Sequence, residues 1–374
     1  MNSSPRRLVV LGATGTVGVQ TLEILPETGA PLRVVGLSAH QDATGLSNIL
    51  ANYPDAAGFL TNQESQHDSL LDFLLNSDRY DICLNAVVGA AGLPFSHAVL
   101  QAGKDLALAN KESLVCGGAL LMEIATRNNA QILPVDSEHS AIAQCLQGSP
   151  PNAIRKLYLT ASGGALRDFS LAEMEKATPE QTLAHPNWNM GPRITVDSAT
   201  MMNKALEIIE AQHLFGVSAS SIEVLIHRQS VVHSMVEFVD GSILAQMGPP
   251  DMKFPIQWAL SHPHRVDSPL QGFDIDLFKR LEFDSVDHQR FPAVQLGQKA
   301  AQMGGAAGAI LNAADEVTVQ AFLHHGLPFL EITRITDAVL KCIGDKPAQT
   351  LDQILEADSN ARALASEYIG LAPT

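Results

Sequence analysis

Cysteine is scarce in this chain of 374 residues, which contains only four. Cys83, Cys116, Cys145 and Cys342 are far apart, stand among apolar neighbours and form no Cys-x-x-Cys pair. Disulfide frameworks and thiolate zinc sites need clustered or regularly spaced cysteines. We therefore expect buried structural thiols, and neither disulfides nor a zinc site.

Positive charge and long apolar runs are also in short supply. The chain has 24 Lys and Arg against 40 Asp and Glu, a net charge of −16, so a nucleic-acid partner is not expected, because phosphate backbones bind to basic surfaces. No apolar run approaches the roughly 20 residues that cross a bilayer, and no membrane association is expected. The chain begins a predicted strand within a few residues of its start, which leaves no room for a signal or transit peptide. We expect a cytoplasmic protein.

The length predicts two or three domains. Apolar residues make up 46% of the chain and charged residues 17%, which is typical of globular proteins. No internal repeat or low-complexity tract is visible. An acidic protein of this kind can still bind an anionic metabolite, but it must do so with a local cluster of hydrogen-bond donors.

A glycine-rich turn follows the first predicted strand. The apolar run Leu8–Leu11 ends in GATGTVG at residues 12–18, and a helical pattern and a second strand, Arg33–Ser38, come next. Glycines let the backbone approach a pyrophosphate, and the start of the helix supplies N–H donors. This order of elements predicts dinucleotide binding, with a purely structural turn as the alternative.

Strands and helices then alternate. Predicted strands at 80–88, 105–109 and 131–135 are separated by predicted helices at 93–102 and 114–127. Apolar strands alternating with helices indicate a parallel sheet covered on both faces, whose ligands bind beyond the carboxyl ends of the strands. Two polar groups follow such ends: Asn110-Lys111-Glu112 and Asp136-Ser137-Glu138.

The pattern changes after about residue 154. Strands are predicted at 156–160, 221–226, 231–239 and 242–246, with a hairpin turn at Asp240-Gly241. This is typical of an α+β domain with an exposed sheet edge suited to self-association. The Pro- and Asp-rich stretch 254–287 predicts a connector, and four helices are predicted after Pro292.

The fold class predicted is therefore α/β, with an N-terminal Rossmann-like parallel sheet, a central α+β catalytic domain and a C-terminal helical bundle. The predicted boundaries are 1–130 for the dinucleotide-binding domain, 131–270 for the catalytic and dimerisation domain, 271–290 for the connector and 291–374 for the helical domain.

Residues 185–207, HPNWNMGPRITVDSATMMNKALE, form the segment on which the rest depends. Its first part, 185–193, is punctuated by Pro and Gly and predicts a mobile flap. A helix is predicted to begin near Ala199, with Asp197 or Ser198 as its N-cap. Asn203, Lys204 and Glu207 then share one face of that helix. The alternative is an ordinary solvated polar face.

Three carboxylates, those of Asp136, Glu138 and Glu207, would form an all-oxygen site suited to Mg²⁺ or Mn²⁺. The alternative is that Asp136 and Glu138 only cap the helix predicted to begin near His139, and the spacing does not decide between the two. A phosphate would be suited by Ser162, Ser198, Asn203 and Lys204, with His185 at the base of the flap as a further donor.

The sequence resembles the 1-deoxy-D-xylulose 5-phosphate reductoisomerase family over essentially the whole chain. The resemblance is carried by GATGTVG, ALANKESLV, ILPVDSEHSAI, ASGGALR, the long segment at 185–207, RQSVVHSM, LAQMGPPDM and LNAADE, in that order. It implies isomerisation and reduction of 1-deoxy-D-xylulose 5-phosphate to 2-C-methyl-D-erythritol 4-phosphate, with NADPH and Mg²⁺ or Mn²⁺, in a homodimer.

The resemblance also implies roles for individual residues. NADPH would contact Thr14, Gly15, Thr16, Val17, Asn110, Glu112 and Gly191. The metal would be bound by Asp136, Glu138 and Glu207. The substrate, a phosphorylated sugar, would contact Lys111, Ser137, Glu138, Ser162, His185, Trp188, Ser198, Asn203 and Lys204, of which Lys111, Glu138, His185 and Lys204 would be catalytic.

The chain departs from the family pattern at a few positions. After the second strand the family usually shows a small residue, a basic or polar one and then Asn, where this chain has His40, Gln41 and Asp42. Asp42 near the ribose would disfavour a 2′-phosphate, so we expect weakened NADPH preference with some NADH use. Asp315 stands where Asn is commoner, and no catalytic effect is expected from it.

Two other functions fit parts of the sequence. A Rossmann dehydrogenase of another phosphorylated substrate, acting without rearrangement, would need no metal carboxylates. A non-catalytic NADP-binding sensor would tolerate the loss of Lys111, Lys204 and Glu207, all of which are present. The carboxylates and lysines therefore favour the reductoisomerase.

Overall fold

The computed structural model describes residues 5–27, 31–188 and 190–370. Asn189, within the predicted flap, and the chain ends of the first and last predicted domains lie outside the described residues. Two compact units are present: Met1–Ser113, Leu121–Ser140 and Asp251–Gly272 form the first, and Leu114–Leu120, Ala141–Pro250 and Phe273–Thr374 form the second. Residues 251–272 thus belong to the first unit, whereas the sequence places 251–270 with the catalytic domain and 271–272 in the connector. The predicted boundaries, as limits of functional domains, stay predictions.

The first unit is built on a six-stranded sheet in the order β3-β2-β1-β4-β5-β6, and every neighbouring pair is parallel. The strands are β1 (Arg6–Leu11), β2 (Leu32–Ala39), β3 (Ala57–Leu60), β4 (Ile82–Asn85), β5 (Asp105–Leu108) and β6 (Ile132–Pro134). The apolar runs of β1 and β4 are buried because helices cover such a sheet on both faces. The predicted Rossmann-like sheet is confirmed.

The helices that follow these strands are α1 (Thr16–Ile24), α2 (Ala43–Leu50), α3 (Glu64–Leu75), α4 (Leu93–Gln101), α5 (Lys111–Arg127) and α6 (Ser137–Cys145). The order of the strands reverses at β1, since β2 lies on one side of it and β4 on the other. Such a switch point is where open α/β sheets bind their ligands. The turn after β1 is therefore the expected cofactor site.

The second unit contains a five-stranded mixed sheet in the order β10-β9-β7-β8-β11. Its strands are β7 (Ile154–Ala161), β8 (Ile222–Ile226), β9 (Val232–Phe238), β10 (Ile243–Met247) and β11 (Asp284–Ser285). Strands β9 and β10 are antiparallel, and Gly241 between them has a φ of +88°. Glycine reaches this conformation without strain, which confirms the hairpin turn predicted at Asp240-Gly241.

The remaining helices are α7 (Leu171–Met174), α8 (Pro179–Leu183), α9 (Pro192–Thr200), α10 (Met202–Phe215), α11 (Lys253–Ser261), α12 (Ile275–Phe278), α13 (Ala293–Met303), α14 (Ala307–His325), α15 (Phe329–Ile343) and α16 (Leu351–Ile369). The predicted helical bundle corresponds to α13–α16 and is confirmed. Helix α11, with Ile256 and Trp258 buried, lies largely in the stretch predicted to be only a connector. That prediction was wrong because Pro255 stands in the first turn of α11, where proline is tolerated.

The helix predicted to begin near Ala199 is in fact two helices, so this prediction was wrong. Pro192 begins α9 directly after Gly191, and Met201, with a φ of +64°, separates α9 from α10. Asp197 and Ser198 therefore lie in the last turns of α9, and the N-cap position of α10 is Met201. Because α10 begins at Met202, Asn203 lies in its first turn, beside the N–H groups of the helix start.

Among the described residues, no helix combines the length and the apolar character that crossing a membrane requires.

Candidate active site

The glycine turn after β1 leaves an open cradle at the start of α1. Gly12 has a φ of +75°, and a Cβ added there would lie 2.6 Å from the carbonyl oxygen of Ala86, which directly follows β4, the strand next to β1. Gly15 is the N-cap of α1 and offers no capping side chain. Thr14 is half-buried, and Gly15 and Thr16 are exposed. The first N–H groups of α1 are therefore available to an anion such as a pyrophosphate.

Asn110 connects β5 to the loop after β4. Its Nδ2 donates to the carbonyl oxygens of Val87 and Gly89, both at 2.8 Å, and to Glu112 Oε2 at 2.9 Å. Its Oδ1 accepts from the backbone N–H of Ser113 at 3.2 Å and so caps α5. Asn110 and Glu112 thus shape the loop at the carboxyl end of β4, and their predicted contact with NADPH stays a prediction.

Lys111 and Asp136 form a buried ion pair at the carboxyl ends of β5 and β6. Asp136 Oδ2 accepts a hydrogen bond from Lys111 Nζ, and Oδ1 lies 2.9 Å from His139 Nδ1. Removing one partner of such a pair would leave an uncompensated buried charge. The pair therefore fixes the direction of the Asp136 carboxylate.

The two interpretations of Asp136 and Glu138 turn out to be compatible. Asp136 Oδ1 accepts from the backbone N–H of Glu138 at 3.2 Å, so it does cap α6. An oxygen of Asp136 also lies within 4.8 Å of an oxygen of Glu138, and Ser137 Oγ donates to Glu138 Oε2. The cap thus sets the positions of two carboxylates side by side.

In the second unit, the turn after β7 is seated directly on α9. Gly164 has a φ of +71°, and a Cβ added there would lie 2.5 Å from the carbonyl oxygen of Ser198. Ser162 begins the turn, and its Oγ accepts from the N–H of Gly164 at 3.2 Å. Two residues predicted to contact phosphate, Ser162 and Ser198, are therefore held in neighbouring segments because no side chain separates them.

His185 is held in one tautomer. Its Nδ1 accepts from the backbone N–H groups of Asn187 at 3.1 Å and Trp188 at 2.9 Å, so the ring proton belongs on Nε2. Nε2 lies 3.0 Å from Ser162 Oγ and donates to it. Burial, with a smaller effect of the Arg167 charge, lowers the pKa of His185 to about 4. The imidazole is therefore neutral near pH 7, and the Ser162 hydroxyl keeps its own proton for a ligand.

Trp188 stands over the same region, with its ring centroid 6.5 Å from that of His233 on β9. His233 Nε2 lies 3.1 Å from the carbonyl oxygen of Gly248. Asn187 anchors the segment through its Nδ2, which donates to Ser230 Oγ at 2.7 Å and to the carbonyl oxygen of Arg228 at 2.8 Å. The described part of the flap is thus tied to the sheet at its base.

The face predicted on α10 is present, with Lys204 and Glu207 buried and Asn203 half-buried. Glu207 is fully buried, and its two oxygens accept from Asn203 Nδ2 at 2.6 Å and Lys204 Nζ at 2.7 Å. Lys204 is itself buried. A solvated polar face, the alternative interpretation, is therefore wrong for Lys204 and Glu207. Burying such charged groups is costly, which indicates that they serve a purpose other than solubility.

Two residues of the site escaped the sequence analysis. His139 contacts Asp136, and the three-residue spacing on a helix could have indicated it. Arg167 donates to the carbonyl oxygen of Ser162 at 2.9 Å and acts on the pKa of His185. Arg167 belongs to the ASGGALR segment, but the direction of its side chain depends on the positive φ angles of Gly163 and Gly164. Residue spacing in the sequence does not predict these angles.

Comparison with known proteins supports one family. A family model described as 1-deoxy-D-xylulose 5-phosphate reductoisomerase matches residues 8–74 and 65–118. A model described as the C-terminal domain of this enzyme matches residues 132–215. A further model, described as the DXP reductoisomerase C-terminal domain, matches residues 247–364. The chain is 44% identical to the 1-deoxy-D-xylulose 5-phosphate reductoisomerase of Ectopseudomonas mendocina, with 98% of this chain and 99% of that protein covered. It is 46% identical to that of Xanthomonas campestris pv. campestris, with 96% of each chain covered.

Solved structures agree. The reductoisomerase of Zymomonas mobilis in complex with NADPH is 37% identical, covers 98% of this chain and 99% of its own, and superposes with a TM-score of 0.88. A DOX-P reductoisomerase in complex with NADPH, fosmidomycin and magnesium is 36% identical, with 98% of each chain covered and a TM-score of 0.91. This chain belongs to the 1-deoxy-D-xylulose 5-phosphate reductoisomerase family.

Proposed function

We propose that this chain isomerises and reduces 1-deoxy-D-xylulose 5-phosphate to 2-C-methyl-D-erythritol 4-phosphate, with NADPH and a divalent cation. One observation carries this most strongly: the buried Glu207 carboxylate between Asn203 and Lys204, only a few residues beyond Ser198. A dehydrogenase acting by hydride transfer alone has no need of such a costly buried group. A sensor without catalysis has no need of it either.

The turn after β1 is suited to the dinucleotide. Gly12 and Gly15 leave no side chain over the start of α1, and Thr14, Thr16 and Val17 line the same turn. We propose these residues, with Asn110, Glu112 and Gly191, as the NADPH contacts. When bound, NADPH supplies the hydride for the reduction.

The carboxylates suit a hard cation. Asp136, Glu138 and Glu207 offer only oxygen atoms, which Mg²⁺ and Mn²⁺ prefer, and we propose them as its ligands. A bound cation would act as a Lewis acid toward oxygen atoms of the substrate. Lys111 and Lys204 each hold one of these carboxylates in place, since their ammonium groups contact Asp136 and Glu207.

The substrate phosphate would be bound by hydroxyl, amide and ammonium donors. We propose Ser162, His185, Ser198, Asn203 and Lys204 for this role. The neutral His185 fixes the Ser162 hydroxyl as a donor. Each hydrogen bond to a charged group contributes about 1.5–3 kcal/mol, so a few such bonds suffice for roughly micromolar binding after the costs of ordering.

At the reacting end, we propose that Lys111, Ser137 and Glu138 position the hydroxyl groups of the substrate. Lys111 Nζ donates a hydrogen bond to Asp136, which fixes the position of the ammonium group, and a positioned ammonium charge stabilises a hydroxyl as it loses its proton. Trp188 would cover the substrate and keep water away during the rearrangement.

We also propose a homodimer that forms through β10. This strand is at the edge of its sheet, and Ile243 and Leu244 on it are 55% and 49% exposed. Exposed apolar edge strands tend to pair with another chain. A cytoplasmic location is proposed as well, because all four cysteines are free thiols, as expected in a reducing compartment.

The reaction is tested by its product and its metal requirement. With 1-deoxy-D-xylulose 5-phosphate and NADPH, we expect 2-C-methyl-D-erythritol 4-phosphate only when Mg²⁺ or Mn²⁺ is present. A chelator should abolish turnover, and added metal should restore it. Glu207→Gln should need more metal and lower kcat, with NADPH affinity nearly unchanged. Turnover that survives the chelator would instead support a dehydrogenase without rearrangement.

Loss of the Lys204 ammonium group should weaken substrate binding. In Lys204→Ala we expect KM for the substrate to rise roughly 30-fold or more, because a charged hydrogen bond to phosphate is lost. This rise corresponds to about 2 kcal/mol of lost binding free energy. The matched control is Lys341→Ala, whose lysine side chain is 63% exposed and pairs with Asp337. Normal substrate affinity in Lys204→Ala would show that the phosphate is bound elsewhere.

Cofactor preference should depend on Asp42. Its carboxylate caps α2 by accepting from the N–H of Gly45 at 2.8 Å, so a negative charge occupies the start of this helix. We propose that it disfavours a 2′-phosphate there. In Asp42→Asn the ratio of NADPH to NADH affinity, measured by cofactor fluorescence titration, should rise roughly fivefold or more. An equal or stronger preference for NADPH in the unchanged protein would contradict this.

The dimer is tested by sedimentation velocity. Leu244→Arg should shift the mass to that of one chain, because a charge would be buried in the paired edge. Leu75→Arg is the control, since Leu75 is a similarly exposed leucine (52%) on α3 of the first unit rather than on β10. A Leu244→Arg protein with an unchanged dimer mass would place the interface on another surface.

A further inference from the structure

Helix α9, which carries Ser198, is fastened to the C-terminal helices of its own unit by charged side chains. Arg193 in its first turn donates to Glu316 Oε1 at 3.0 Å and to Asn312 Oδ1 at 2.7 Å, both on α14. Glu316 also accepts from Arg362 of α16 at 2.6 Å. The position of α9 therefore depends on this group of side chains.

Two carboxyl groups lie inside it. Asp197, on α9, and Asp315, on α14, are 3.6 Å and 3.8 Å from nitrogens of Arg193, too far for good hydrogen bonds. Asp315 is fully buried, and within the described part of the chain neither of its oxygens accepts a hydrogen bond from an N–H or O–H donor. The carboxyl of Asp197 is its neighbour: both carboxyls lie against the same Arg193 guanidinium, and a side-chain hydrogen bond with Asp197 is among the causes that raise the pKa of Asp315. Two carboxyl groups can bond to each other only if one is protonated.

The charges of the group favour such a proton. Four carboxyl groups, those of Asp197, Asp315, Glu316 and Asp358, stand against the two guanidinium groups of Arg193 and Arg362. Burial first, and then the charge of Asp197, raise the pKa of Asp315 well above its usual range, while Arg193 opposes this. Other helices packed against α14 carry Lys204, Glu207 and Glu210 on α10 and the Lys299–Asp337 pair of α13 and α15. After burial, the charged groups with the strongest effects on the pKa of Asp315 are nevertheless Asp197, Arg193 and Glu316.

We propose that Asp197 and Asp315 share one proton in the working protein, and that this proton holds α9, and with it Ser198, against the C-terminal helices. Asp315 is then a positioning residue, which acts on Ser198 through Asp197, its neighbour in the chain. The effect on Ser198 rests on the proposed function, whereas the shared proton does not.

The shared proton makes stability depend on pH in a definite direction. Because the pKa of Asp315 is higher in the folded protein than in the unfolded chain, the folded state keeps a proton that unfolding releases. The stabilisation is complete below the unfolded pKa and is lost as the pH rises through the folded pKa. Between these limits the unfolding equilibrium constant should rise about tenfold per pH unit from this site alone.

The proton is tested without reference to activity. The carbonyl stretch of a protonated carboxylic acid should appear in the infrared spectrum at pH 7, shift in D₂O and disappear in Asp315→Asn. That variant, isosteric with the protonated acid, should also unfold with a shallower pH dependence. Asp337→Asn, which removes a carboxyl from α15 in the same unit, should leave both observations unchanged. An infrared spectrum without this band, or equal pH slopes in the unchanged protein and in Asp315→Asn, would overturn the shared proton.

The positioning role is tested by KM for 1-deoxy-D-xylulose 5-phosphate between pH 6 and 9. As Asp315 ionises, KM should rise in the unchanged protein more than in Asp315→Asn, whose amide cannot ionise. Asp315→Ala should raise KM several-fold at every pH and change kcat less, because the contact with Asp197 is gone. Parallel KM profiles in all three proteins would overturn the positioning role. If the unchanged protein does not turn over this substrate, the proposed function fails, and the infrared and unfolding results still decide the shared proton.

Discussion

The cost of removing charge from water constrains the chemistry of this protein more than any other interaction. Lys111 with Asp136, and Lys204 with Glu207, are buried pairs in which each partner compensates the other. Such pairs add little net stability, and breaking one is strongly destabilising. Their value is geometric, because a carboxylate held by an ammonium group cannot rotate away from the direction in which it is needed.

Glycines open binding space in each of the two units. At the end of β1 they open the start of a helix, and at the end of β7 they let a turn rest on the backbone of α9. At His185, two backbone N–H groups fix which of the ring nitrogens carries the proton. Backbone geometry thus settles the donor and acceptor roles that binding needs before any ligand arrives.

Much of this could be predicted from the sequence, for physical reasons that differ between elements. The alternation of apolar strands and helices predicted the parallel sheet, and the i, i+3 and i+4 spacing of Asn203, Lys204 and Glu207 placed them together on α10. The break at Met201 could not be predicted, because its left-handed backbone depends on tertiary packing and methionine has no preference for it. Arg167 was missed for a similar reason, because its partner is determined by the folded turn, whereas the three-residue spacing between Asp136 and His139 could have indicated His139.

Met201 has a wider consequence. A left-handed conformation costs a residue with a side chain about 1–2 kcal/mol, and here its side chain is almost entirely buried in the core. The bend from one helix to the next is therefore maintained from the interior of the protein. The apolar residues around Met201 thus set the orientation of Ser198, before the bend, relative to Lys204, after it. These residues are not among the proposed substrate contacts. Substitutions in this core can therefore alter substrate recognition even when every polar group of the site is retained.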